Sequence, residues 1–247
     1  MSIGSQADWR GLRDVGRVVR ETLDALEQMA APGASTGDLD RAAARVFARH
    51  GAQSAPALVY GFPGTVLISI NDEIVHGVPG ARQLARGDVV KLDVTAEKAG
   101  YVADAARTIV LDGASETAHR LKACAEAAFA AAMRVACAGR LVRHVSRAIE
   151  QEVSRHGFSV IHGLCGHGVG RTIHEPPSVP NSYVHSQRDR LTEGLVLAIE
   201  PMICTGSGKI KEEPDGWTIR TADRSLAAHY EHTVVITRDT PVLLTAA

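Results

Sequence analysis

Residues 89–104, Val89-Val90-Lys91-Leu92-Asp93-Val94-Thr95-Ala96-Glu97-Lys98-Ala99-Gly100-Tyr101-Val102-Ala103-Asp104, govern how the rest of the chain is read. Two runs rich in β-branched and apolar residues flank a polar turn ending in Gly100, the pattern of an antiparallel hairpin. A turn centred between Lys98 and Ala99 sets Asp93 directly opposite Asp104. Facing residues on one side of a hairpin have Cβ atoms about 4.5–5.5 Å apart, so two carboxylates meet among Val, Leu and Ile. Repulsion and lost hydration make that placement costly unless a positive group lies between them. A divalent cation, or a pair, supplies one; the alternative is an edge strand whose aspartates face solvent.

The chain has 247 residues, 45% of them hydrophobic and 22% charged, enough for a sizeable core within one domain. A net charge of −1 gives no global basic field for nucleic acid or a membrane surface. The first residues carry no charged segment followed by an apolar run, and no window approaches the ~18 apolar residues of a membrane span. A cytoplasmic protein is expected. Cys124, Cys137, Cys165 and Cys204 show no Cys-x-x-Cys spacing and read as free thiols.

Outward from the hairpin, residues 8–30 repeat apolar positions at helical spacing (Leu12, Val15, Val18, Leu23, Leu26), and Pro32-Gly33 ends the run. Ser35 or Thr36 opens a second helix that Gly51 closes. The segment Ala30–Gly51 matches Ala136–Gly157 at a constant offset, including Gly33/Gly139 and Arg49-His50-Gly51/Arg155-His156-Gly157. This predicts an internal duplication, with halves of roughly 8–112 and 115–245 and a site between them. The second helix pair falls at about Glu116–Cys137 and Val142–His156.

Tyr60-Gly61-Phe62-Pro63-Gly64 reads as a turn before the strand Val66–Ile70. The loop Asn71–Pro79 carries His76, which taken alone reads as structural. Three glycines surround His167 in Cys165-Gly166-His167-Gly168-Val169-Gly170, which lets backbone approach a ligand closely, and His174 stands before a diproline. Glu200 lies inside the apolar run 195–203 and Glu231 opens the run 231–236; acidic residues in such runs are rarely buried unpaired. Asp93, Asp104, His167, Glu200 and Glu231 thus offer four carboxylates, one imidazole and no thiolate. That donor set suits Mn²⁺, Fe²⁺, Co²⁺ or Zn²⁺ in a catalytic site. Four negative charges suit two ions, which at about 3.5–4 Å can share bridging carboxylates and activate a water or hydroxide.

The order Asp, Asp, His, Glu, Glu, together with Ser-Ile-Asn-Asp-Glu-Ile-Val-His-Gly-Val-Pro (69–79), Gly-His-Gly-Val-Gly-Arg-Thr-Ile-His-Glu (166–175), Ile-Glu-Pro-Met (199–202), Asp-Gly-Trp (215–217) and Tyr-Glu-His-Thr (230–233), resembles the type I methionine aminopeptidases. The likeness spans nearly the whole chain. It implies the pita-bread fold, a pseudo-two-fold α+β domain of antiparallel sheets covered by helices, shared with prolidases and creatinases. Neither the helical insertion of type II enzymes nor a prolidase-like N-terminal domain is expected. The resemblance implies that Asp93, Asp104, His167, Glu200 and Glu231 bind two divalent ions (Co, Mn, Fe or Zn), Asp104 and Glu231 bridging them. It implies Glu200 as general base, His76 near the cleaved bond, His174 on the scissile carbonyl, and Tyr60 and Trp217 as substrate contacts. The partners expected are the N-termini of nascent polypeptides or peptides, with the ribosome a further candidate, and a monomer is expected.

The pocket departs from the family pattern. Val59-Tyr60 replaces a common Tyr-His pair, Pro56 and Leu67 stand where cysteines are frequent, Ile173 replaces Phe or Met, and Ala103 replaces glycine before Asp104. Apolar exchanges of this size shift side-chain discrimination by about 1–3 kcal/mol. The function expected is removal of N-terminal methionine from proteins whose second residue is small. The alternatives are a paralogue with a different first-residue preference and a non-catalytic binding protein on the same fold.

Overall fold

The computed structural model describes residues 1–246. Helix α1 (Gln6–Met29) begins at Ser5, whose hydroxyl accepts the Asp8 N–H at 3.1 Å, and buries Leu12, Val15, Val18, Val19, Leu23 and Leu26 along one stripe. Helix α2 (Thr36–His50) starts with a capping box between Ser35 and Asp38, and Gly51 ends it at φ 61°. A short helix, α3 (Ala55–Tyr60), has no helical period long enough to be seen in the sequence. Tyr60 therefore closes a helix rather than opening a turn, and Gly61 caps it at φ 72°. Helices α4 (Glu116–Met133) and α5 (Val142–Arg155) complete the second pair.

These helices cover a nine-stranded sheet. Its central pair joins strand Tyr101–Val110 to Glu231–Val235, flanked by Val89–Lys98 on one side and Val196–Ile199 then Cys165–Gly168 on the other, all antiparallel. One core packs α1 and α2 on the first flank, and another packs α4 and α5 on the second. The halves are related by a pseudo-two-fold arrangement that reaches individual hydrogen bonds. Gly33 and Thr36 donate to Leu84 and Arg82 at 2.8 and 2.9 Å, and Gly139 and Val142 donate to Leu191 and Asp189 at 2.8 and 2.9 Å. Ser35 bridges Gln83 as Leu141 bridges Arg190.

The hairpin register differs from the expected one. Ala99 and Gly100 both have positive φ, 51° and 79°, so the turn is a two-residue loop centred between them. Thr95 consequently faces Asp104, and Asp93 faces Ala106. The two aspartates lie diagonally on one face instead of directly opposite, and Thr95 Oγ1 donates to Asp104 Oδ1 at 2.8 Å. Glu200 also sits differently from the reading of one continuous strand. The run breaks into strands Val196–Ile199 and Met202–Cys204, with Glu200-Pro201 between them. No described helix is long and apolar enough to cross a membrane.

Candidate metal centre

The two central strands bring the acidic residues together. Asp104 is locked to its neighbour by a reciprocal pair, its N–H donating to Thr233 Oγ1 and its carbonyl accepting from that hydroxyl, both at 2.8 Å. Glu231, two residues before Thr233, faces Ala106 and projects into the same cleft. Asp93 arrives from the adjoining strand, and Glu200 from the strand break, where Asn181 Nδ2 donates to its carbonyl at 3.1 Å. His167 lies 3.3 Å from Glu200, Nε2 to Oε1. Its Nδ1 donates to the Gly168 carbonyl at 2.9 Å, which leaves the Nε2 lone pair facing the cleft when the ring is neutral. Gly166 is required here, since a Cβ would stand 2.4 Å from the Ala198 carbonyl oxygen.

All five residues anticipated as ligands line one cleft of about 780 Å³, together with His76, His174, Tyr60 and Trp217. His76 is held at φ 60°, and next to it Gly77 presses so close to Ile68 that a Cβ would lie 2.2 Å from its carbonyl oxygen. Ile68 N–H donates to the Gly77 carbonyl at 2.9 Å, which fixes His76 at the rim. His174 packs edge-on against His167, ring centroids 4.3 Å apart, and its Nδ1 is 2.5 Å from the Tyr60 hydroxyl. Trp217 meets Phe62 edge-to-face at 5.2 Å. Pro56, Leu67 and Ile173 also line the cleft, whereas Val59 is outside it and 54% exposed.

Charge in the cleft is unbalanced. Among the described residues the only basic partners of these carboxylates are His167 and His229. Lys91, buried on the same strand as Asp93, directs its ammonium to the carbonyls of Asn71 and Val89 at 2.8 and 3.2 Å. Burial, then the charge of Asp104, pushes the Asp93 carboxyl well up, and burial pushes Asp104 up to about 7. Glu200 and Glu231 are raised by burial first and by neighbouring carboxylates second. Burial lowers His167 to about 4 and His229 to about 3, so both imidazoles are neutral at pH 7.

Buried polar atoms without partners mark where a counter-charge belongs. Asp93 Oδ1, Glu200 Oε1, Glu231 Oε1 and both nitrogens of His229 make no hydrogen bond. Two groups of three ligand atoms come within 4.8 Å of one another, Asp104–His167–Glu231 and Asp93–His229–Glu231. Oxygen and neutral nitrogen donors at these positions fit divalent cations. His229 was absent from the sequence-based set. The signal for it lies in the spacing, since it stands two residues before Glu231; the chain changes sheet at Tyr230, between the strands Ala227–His229 and Glu231–Val235, yet both side chains reach the same group of ligand atoms.

The family model of metallopeptidase family M24 matches residues 10–238. Methionine aminopeptidase 2 of Bacillus subtilis is 40% identical over 247 residues, covering 99% of both chains. The crystal structure of a methionine aminopeptidase from Thermotoga maritima superposes with a TM-score of 0.96 at 31% identity and covers 100% of both chains. A prolidase from Pyrococcus horikoshii shares the fold, with a TM-score of 0.79 at 20% identity, over 99% of this chain and 63% of its own. With this pita-bread architecture, and a family match across most of its length, the chain belongs to metallopeptidase family M24.

Proposed function

We propose that this chain is a cytoplasmic methionyl aminopeptidase of one catalytic domain built by duplication, removing N-terminal methionine ahead of a small second residue. The observation that carries this is the pair of three-ligand groups sharing Glu231 at the floor of a cleft walled by Phe62, Leu67, Ile173 and Trp217. Asp93, Asp104, His167, Glu200 and Glu231 would hold two divalent cations drawn from Mn, Fe, Co and Zn, with Asp104 and Glu231 the carboxylates placed to be shared. Cations seated there polarise a carbonyl oxygen and lower the pKa of a water.

The chain's own residues do the rest. The apolar walls take the terminal side chain and exclude water. Glu200 accepts the proton of the attacking water through its unpartnered Oε1 and passes it to the leaving amine. His174, its Nδ1 occupied by Tyr60, carries its proton on Nε2 and donates to the scissile carbonyl oxygen as negative charge grows there. His76, whose pKa is lowered chiefly by burial, stays neutral at the rim and contacts the peptide beside the cleaved bond.

Initial rates on Met-Ala-Ser, Leu-Ala-Ser and Met-Lys-Ser, with each metal restored to metal-free protein under anaerobic conditions, test this. Metal-dependent cleavage of Met-Ala-Ser above the other two is expected. Preference for Leu-Ala-Ser would assign the site to a different first residue, a reading favoured by Pro56, Leu67 and Ile173 in the wall. Absence of cleavage with every metal would contradict the proposal.

A further inference from the structure

The roles above draw one imidazole, His167, to the cations, yet a second lies buried beside the same carboxylates. His229 ends the strand Ala227–His229, paired residue for residue with Met202–Cys204. Its backbone is clamped by Thr108, whose Oγ1 accepts the His229 N–H at 2.9 Å and donates to its carbonyl at 2.7 Å. The side chain is 1% exposed, and neither ring nitrogen has a hydrogen-bond partner. Buried polar groups are nearly always paired, so an imidazole held this firmly with both nitrogens free is waiting on something other than protein.

Its surroundings say what. Nε2 lies 3.5 Å from Glu231 Oε2 and 3.8 Å from Glu200 Oε2. These separations are long for hydrogen bonds but suit two ligands of one ion, whose donor atoms sit about 3–4 Å apart when each bond is about 2.0–2.2 Å. Asp93, His229 and Glu231 each place a ligand atom within the same 4.8 Å span that Asp104, His167 and Glu231 achieve.

We propose that His229 is a direct metal ligand, forming with Asp93 and Glu231 a donor set that mirrors Asp104, His167 and Glu231 across the shared glutamate. This rests on the two-cation reading given above. Its consequence is selectivity. An imidazole at each position favours nitrogen-accepting ions such as Zn²⁺, Fe²⁺ and Co²⁺ at both, and disfavours Mn²⁺, which prefers oxygen donors.

X-ray absorption at the zinc edge of the two-zinc wild-type protein counts bound imidazoles. Two per pair of ions are expected; a single one, with two ions bound, would overturn the role of His229 and leave the two-cation site standing. Protein that takes up no divalent ion would overturn both. Calorimetric titration of metal-free His229→Gln supplies an independent arm. Zn²⁺ affinity at one of two sites should fall at least ~10-fold, with a much smaller loss for Mn²⁺. Equal losses for both metals, or none, would contradict direct ligation. Circular dichroism checks the fold of the variant, and the wild-type spectrum decides the matter if it does not fold.

Discussion

The two halves of the molecule are alike where they pack and unlike where they face the cleft. Leu39 and Val145, 106 residues apart, are both buried on the second helix of their pair, and Gly51 and Gly157, at the same offset, both take positive φ. The cleft side differs. The first half supplies Asp93, Asp104 and His76; the second supplies His167, His174, Glu200, His229 and Glu231. A repeated scaffold fixes where side chains can point, while the chemistry depends on which residue occupies each place. Similar packing is therefore compatible with one half that supplies one imidazole and another that supplies three, His229 lying buried beside the cleft.

The strongest way to break that comparison is at the cleft. Asp104→Asn removes a charge from the shared centre, and kcat/KM on a methionyl peptide should fall at least ~10³-fold, the equivalent of about 4 kcal/mol of transition-state stabilisation. A loss under tenfold would mean that Asp104 is dispensable. The scaffold halves should respond alike instead. Leu39→Ala is expected to cost about 2–5 kcal/mol in denaturant unfolding, with Val145→Ala at or below the low end because it deletes less volume. A large cost in one half and none in the other would show that the two cores are not equivalent.

Smaller effects sharpen the contrast. Tyr60→Phe removes the partner of His174 Nδ1 at an exposed edge, and kcat should drop about 3–10-fold with KM little changed, in line with ~0.5–1.5 kcal/mol for one hydrogen bond. An effect confined to KM would place Tyr60 on the substrate alone. Helix starts differ too: α2 has the Ser35 cap, while α5 begins at Leu141 without a side-chain cap bond. Ser35→Ala should therefore cost about 1 kcal/mol in thermal or denaturant unfolding, and Leu141→Ala far less.

Most of the scaffold was legible because it rests on local signals. Ser35, Gly51 and the apolar stripe of α1 state helix boundaries in the chain itself. The hairpin was legible as a hairpin, but its register turned on whether Ala99 adopts positive φ, a choice that composition does not announce for a non-glycine residue. Helix α3 was missed because six residues containing Pro56 and Val59 show no periodicity, which left Tyr60 in a turn. In the cleft, acidic residues within apolar runs announced themselves by their cost. His229 did not, since a lone histidine beside alanines resembles an ordinary buried side chain until the fold brings it beside Asp93 and Glu231.

The central claim is that the buried carboxylates are held together by divalent cations, and stability against pH tests it most directly. In metal-free protein these groups have folded pKa values raised above their unfolded ones, Asp104 to about 7. The native state then binds more protons than the unfolded chain, so stability is full below the unfolded pKa and is lost as pH rises through the folded one. His167 and His229, depressed from 6.5 to about 4 and 3, oppose this only at pH below about 6.5. Lys91, lowered by burial from 10.5 to about 7, opposes it in turn above about pH 7, so the window in which the carboxylates act alone runs from about pH 6.5 to 7. The melting temperature of metal-free protein should fall across that window, and Mn²⁺ or Zn²⁺ should raise it and flatten its pH dependence. A melting temperature that holds steady without metal, and does not move when metal is added, would contradict the account.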